Sequence, residues 1–166
     1  MDRAQGAIDA ARAAGAEQYA PTEYSAATAA LSSANDAVAA GDYRLALNHA
    51  LQSHEYAQNA ARATADTKAR MRAEVERAVT DVTALVADGE TRIAAARRAG
   101  VPRRVLTPAV DALAAARASL QKAGEAVAAG DYLAANAALE GVKEGAAKAL
   151  AGVDAASKSQ SVRRPR

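Results

Sequence analysis

The stretch from Tyr43 to Ala99 constrains this chain most, because it holds no proline and a single glycine, Gly89. Along it Leu47, Ala50 with Leu51, Ala57, Ala61, Ala65, Met71, Val75, Val79, Val82, Val86 and Ile93 recur at three- and four-residue steps. That spacing keeps them on one side of an α-helix. Unbroken, such a helix measures ~85 Å at 1.5 Å per residue. One small globule has no use for that length, so the helix is expected to serve two halves of the molecule. About a third of the 166 residues are alanine, the strongest helix former, with no Phe or Trp and only four Pro. The expected fold is all-α. Alanine buries little area, so helix pairs must approach closely along seams of sparse Leu, Val, Ile and Tyr. Little volume is left for a buried cofactor, and none is expected.

Read in order, the chain begins with a helix from Asp2 to Ala14, with Ala4, Ile8 and Ala11 on one face and Gly15 as its stop. Ala16 to Pro21 reads as a loop, and Pro21 suits the first turn of a second helix. That helix carries the stripe Tyr24, Ala27, Leu31, Ala34 and Val38. Gly41 closes it and Asp42 caps the long helix over 43–99. The second half repeats the plan. Ala37-Val-Ala-Ala-Gly-Asp-Tyr43 recurs identically as Ala126-Val-Ala-Ala-Gly-Asp-Tyr132. The stripe Leu106, Val110, Leu113, Ala116, Leu120, Ala123 and Val127 matches the second helix. A fifth helix follows Asp131, with Ala135, Leu139, Val142, Ala146, Ala149 and Val153 on its face. The copies are offset by 85 residues at Gly15 and Gly100 and by 89 at Gly41 and Gly130. The difference is one helical turn, which preserves the apolar face.

The expected architecture is five helices in two tandem antiparallel three-helix units, 1–70 and 71–156, sharing the long central helix. The alternative breaks that helix near Asp88-Gly89 or around Thr64 to Lys68 and folds both halves into a single compact up-down bundle. The turns Gly41, Asp42, Tyr43 and Gly130, Asp131, Tyr132 carry structure in either case. The segment 157–166 reads as a disordered basic tail.

Absence of cysteine excludes disulfides and thiolate chemistry. Lys158, Arg163, Arg164 and Arg166 supply four positive charges of a net +2, so the remainder is net −2. That is a mixed, solvated surface rather than a nucleic-acid footprint. No apolar run approaches the ~20 residues of a membrane span. Met1-Asp2-Arg3 does not open a signal peptide. The protein is therefore cytoplasmic, or the sequence starts after a removed export signal.

Ala13-Ala-Gly-Ala-Glu-Gln-Tyr-Ala-Pro21, Leu31-Ser-Ser-Ala34, Gly41-Asp-Tyr43 followed by Leu45-Ala46, Ala57-Gln-Asn-Ala60 and Lys68 together form a recognisable pattern. Over residues 11–70 the chain resembles the DUF4398 family, small helical domains of bacterial envelope proteins, often behind a lipoprotein signal. The resemblance implies an exported, periplasmic or envelope-associated location and carries over no catalytic residue. The second repeat departs from the pattern, with Val101-Pro102-Arg103-Arg104 where Gln18-Tyr19-Ala20-Pro21 stands in the first.

Candidate chemistry is sparse. His49 and His54 are five apart, roughly 140° around a helix, and cannot chelate one ion as an i, i+4 pair would. His49 is expected to face solvent and His54 to sit at a helix interface; no metal site is expected. Glu74, Glu76, Asp81 and Glu90 alternate with Arg70, Arg72, Arg77 and Arg92, as on a solvated helix face. Tyr43 and Tyr132 are expected to plug the bundle end beside each Gly-Asp turn, with Tyr19 and Tyr24 flanking the first loop. Arg97, Arg98, Arg103 and Arg104 cluster at the next turn. With Arg163, Arg164 and Arg166 they form the candidate contact for lipid headgroups or an anionic polymer. The bland reading is that Arg97 and Arg98 complement a helix dipole while the others solubilise a loop.

The expected function is non-enzymatic: a rod-like spacer or adaptor of the bacterial cell envelope, offering helical faces to a protein partner or to its own copy. The alternative is a peripheral binder of an anionic surface or polymer through the arginines. Nucleic acid is not an expected partner, since aromatics are not interleaved with the basic residues.

Overall fold

The computed structural model describes residues 1–163, and it is α-helical. The helices are α1 (Asp2–Ala14), α2 (Ala16–Tyr19), α3 (Pro21–Ala39), α4 (Tyr43–Arg98), α5 (Arg103–Ala128), α6 (Tyr132–Leu139) and α7 (Val142–Arg163). Both copies of the Gly-Asp turn are built alike. Gly41 (φ 77°) and Gly130 (φ 74°) occupy the left-handed region. The Gly41 N–H donates to Val38 O and the Asp42 N–H to Ala37 O; Gly130 and Asp131 do the same to Val127 O and Ala126 O. This is the Schellman arrangement, which closes the carbonyls left open at a helix C-terminus. The aspartate then caps the following helix. Asp42 Oδ1 accepts from the Leu45 N–H, and Asp131 Oδ1 from the Ala134 N–H, both at 2.9 Å. One heptapeptide thus ends one helix and starts the next, twice.

Seven helical segments among the described residues replace the expected five. The loop expected over Ala16 to Pro21 holds the single-turn α2, whose Ala20 N–H donates to Ala16 O. The expected fifth helix is two, because the chain breaks at Glu140 and Gly141, where Gly141 takes φ 69°. Residues 157–163, expected to be disordered, continue α7. Arg164 and Arg166 lie outside the described residues.

The chain divides into two compact units, Met1–Arg70 and Met71–Arg166. In unit 1 the first half of α4 packs through Ala46, Ala50, Ser53, Ala57, Ala60 and Thr64, spaced alternately by four and three. The expected seam residues Leu47 and Leu51 are not in it; each is 59% exposed. The seam runs one residue aside because small side chains let α3 and α4 approach until Ser53 Oγ donates to Ala27 O at 2.8 Å. Ala37, not Val38, is the buried residue at the end of α3 for the same reason. Ala65 is exposed as well. Ile8, Ala11, Ala16, Tyr24 and Ala27 complete the core with Ala57 and Ala60.

In unit 2 the expected Val75, Val82, Val86 and Ile93 are buried. Val82, Val86 and Ile93 join Leu106, Leu113, Leu150 and Val153 in one cluster. Val75 joins Ala123, Ala135 and Leu139 in another. Gly89 is buried among them. A Cβ added there would lie 2.8 Å from Leu113 Cδ1 and 3.0 Å from Leu150 Cδ1. Glycine is what lets these leucines close on α4.

Candidate functional site

Four of the arginines singled out in the sequence lie at the end of unit 2 where α4 turns into α5. Gly100 (φ 84°) ends α4, and the Val101 N–H returns to Ala96 O at 3.0 Å. Val101 is buried, which pins the short connection, and α5 starts at Arg103. Arg97, Arg98, Arg103 and Arg104 are all exposed. Arg98 Nε turns back to Ala94 O at 3.4 Å. Arg97 and Arg103 share the rim of a small depression floored by Leu106 and Val110. Beside it a groove of about 260 Å³ runs between α4 and α5, floored by Ile93, Val110 and Leu113. Glu90, Arg97 and Arg117 edge this groove, and the Glu90–Arg117 ion pair bridges it. Arg98 and Arg104 line neither depression. The side chain of Arg163 is outside the description, so the tail arginines add nothing to this geometry.

The two pairs of arginines stand in opposite fields. Arg97 and Arg98 occupy the last turn of α4, where the helix dipole favours a cation. Arg103 and Arg104 open α5, at its positive end. That end carries no acidic residue in its first turn, and its N-cap, Pro102, makes no side-chain capping bond. Two cations and unmatched helical N–H groups therefore face the same solvent. An anion placed there would satisfy both.

The other candidates resolve into structural roles. His54 is half-buried at the α1–α4 interface; its Nδ1 lies 3.3 Å from Arg3 O and its Nε2 3.0 Å from Gln58 Nε2. Nδ1–H thus donates to the carbonyl while Nε2 accepts from the amide. His49 is half-buried rather than solvent-facing, with Nδ1 3.2 Å from Gln52 Oε1. Among the described residues no three His, Asp or Glu side chains converge as a metal site would require. Of the alternating charges, Arg72–Glu76 pairs within the helix at 2.8 Å. Other pairs reach across to neighbouring helices, which spacing along one helix could not reveal: Asp81 to Lys143 at 2.6 Å, Glu90 to Arg117, and Arg92 to Asp154 at 3.0 Å. The hydrogen bond that Lys143 donates to Asp81 raises its pKa above the usual ammonium range.

Tyr43 does not plug the bundle end; it is 73% exposed, since the seam rotates away from it. Tyr132 is half-buried. Tyr19 and Tyr24 are buried beside the first turn, as their flanking positions suggest. Arg12 Nε donates to the Tyr24 hydroxyl at 2.8 Å, a bond that raises the already high Arg12 pKa. Lys68 donates to Ala14 O at 2.7 Å and stands 4.9 Å from the centre of the Tyr19 ring. This is a cation–π contact. No described helix is long and apolar enough to cross a membrane.

Residues 1–78 match the family described as a domain of unknown function, DUF4398. The matched segment contains all of unit 1 and stops before the arginine cluster. No curated protein and no solved structure matches the chain.

Proposed function

We propose that this chain, which carries a DUF4398 domain in residues 1–78, is a non-enzymatic interaction module: a spacer or adaptor of the bacterial cell envelope. In this reading the two tandem three-helix units of the chain offer grooves to a protein partner. The observation that carries it is the groove between α4 and α5. It is open, apolar at its floor (Ile93, Val110 and Leu113) and charged at its rim. A depression of about 260 Å³ falls below the usual ~300–1,000 Å³ of small-molecule pockets. It suits one or two side chains of a docked helix or strand.

The test is a photo-crosslinking residue at Ala114 in cells. The expected result is a discrete adduct in the envelope fraction that disappears when Val110→Glu fills the groove with charge. Adducts indifferent to Val110→Glu, or confined to cytosolic proteins, would overturn the reading.

A second reading has its own support, the uncapped start of α5 with Arg103 and Arg104. It makes the chain a peripheral binder of an anionic surface or polymer. Sedimentation with phosphatidylglycerol vesicles, compared with phosphatidylcholine, tests it. Binding should fall steeply with salt, as the screening length drops from about 10 Å at 0.1 M to about 3 Å at 1 M. Full binding by the Arg103→Gln, Arg104→Gln double variant would rule it out.

A further inference from the structure

The α3–α4 tip of unit 1 exposes apolar side chains that no seam claims: Val38 (42%), Tyr43 (73%), Leu45 (44%), Leu47 (59%) and Leu51 (59%). The cause is the reach of α1. It begins at Asp2 beside His54 and runs toward Lys68, which bonds Ala14 O. Beyond His54 the tip is a two-helix hairpin without a third helix over it. In unit 2 the corresponding hairpin is covered. Leu120, Val127, Ala135 and Leu139 pack there with Val75, Ala78 and Val79 of α4.

The two tips also differ in sequence, in the direction an interface requires. Counted from the capping aspartates, Ala46 and Ala50 stand where Ala135 and Leu139 stand. The exposed Leu45, Leu47 and Leu51 stand where unit 2 exposes Ala134, Asn136 and Glu140. The uncovered copy thus carries three outward leucines, against one in the covered copy, Leu133 (40%), which stands where unit 1 has Arg44.

We infer that this tip is a self-association surface, on which a second copy of the chain docks about a two-fold axis with the first turns of α4 antiparallel. Arg44, Leu47, Leu51 and Glu55 follow one another at three- and four-residue steps and form a single stripe. The stripe reads almost the same in reverse. Antiparallel pairing about the midpoint of Leu47 and Leu51 sets Leu47 over Leu51 of the second copy. It also brings Arg44 to within one residue, about 1.5 Å along the axis, of Glu55 of the second copy, at both ends. Neither Arg44 nor Glu55 has an ion-pair partner among the described residues. A parallel arrangement opposes Arg44 to Arg44 and is rejected. Two hairpin tips joined in this way make a four-helix arrangement with an isologous interface. Leu45 lies more than 100° around α4 from Leu47 and Leu51 and stays outside this interface. Val38, Tyr43, Leu47 and Leu51 offer roughly 400 Å² per copy, about 800 Å² for the pair, below the usual size of specific interfaces. The dimer is therefore reversible rather than permanent.

The inference rests on the reading of the chain as an interaction module, but on unit 1 rather than on the α4–α5 groove. Its failure leaves the crosslinking test at Ala114 intact. Sedimentation equilibrium of the full chain over a concentration series tests it, with circular dichroism as the control for folding. The expected result is a monomer–dimer equilibrium in the micromolar range. Leu47→Asn with Leu51→Glu should weaken it more than a hundredfold with helicity unchanged. Arg44→Glu alone should weaken it about tenfold, and adding Glu55→Arg to the same chain should restore it. A chain that stays monomeric throughout the series, or a dimer indifferent to the leucine changes and not rescued by the charge swap, would overturn the inference.

Discussion

Unit 1 and unit 2 share an identical Gly-Asp turn heptapeptide and differ in what fills the space between helices. Unit 1 is held by alanine seams, with Ile8 as its one fully buried large aliphatic side chain. Unit 2 is held by Val82, Val86, Ile93, Leu106, Leu113, Leu150 and their neighbours. Each leucine in place of an alanine adds about 2 kcal/mol of apolar burial, so unit 2 draws more on burial. Unit 1 compensates with close approach and polar stitches. Ser53 bonds the carbonyl of Ala27, Lys68 that of Ala14, and Arg12 the hydroxyl of Tyr24. Two helical units of one chain can thus be stabilised by different mixtures of burial and hydrogen bonding. The thinner version keeps apolar surface outside, where it can serve another molecule.

The largest expected effect tests the burial side of this contrast. Leu150→Ala, at a side chain 1% exposed, should lower stability by about 3–4 kcal/mol in chemical denaturation, because the neighbours only partly collapse into the void. A loss below ~1 kcal/mol would show that unit 2 does not rely on its leucines as the packing implies. Next comes the opposite perturbation in the alanine seam. Ala57→Leu, at a fully buried position, should cost about 2–3 kcal/mol by forcing α4 off its neighbours. Hydrogen exchange should localise that loss to unit 1. If it is tolerated without loss of protection there, the seam is looser than its distances state.

A smaller change separates close approach from helix propensity. Gly89→Ala should destabilise by about 1 kcal/mol, since the clash with Leu113 and Leu150 outweighs the gain in propensity. The same change at Gly6, where an added Cβ meets nothing within 4 Å beyond its own helix backbone, should raise stability by about 0.5–1 kcal/mol. If both changes moved the melting temperature upward, the Gly89 contact would be discounted. An effect of similar size concerns the stitches. Ser53→Ala should cost about 1 kcal/mol, the net worth of one hydrogen bond. Ser53→Cys, a weaker donor of similar size, should fall between the two.

Much of the fold was legible because it is written in local rules. The Gly15 stop, Pro21 at a helix start, the repeated Gly-Asp turn and the long span of α4 all follow from propensity and capping. These depend on residues a few positions apart. The fate of Leu47 and Leu51 was not legible. A stripe of leucines and a stripe of alanines one residue away have the same period, and hydropathy alone favours the leucines. Closeness of approach between α3 and α4 decides between them, and that depends on the partner helix. The arginine cluster was found from composition. That Arg103 and Arg104 sit on the wrong end of a helix dipole, beside a groove edged by Arg97 and Arg117, appears only once α5 is seen to start where it does.

The sequence by itself determined that this protein is helical and where its main turns fall, because each of these is a sum of short-range preferences. The tertiary structure alone decided which face of α4 is buried in unit 1, which charges pair across helices and which leucines are left on the surface. Those outcomes depend on the distance between helix axes, and that distance is set jointly by side chains far apart in the chain.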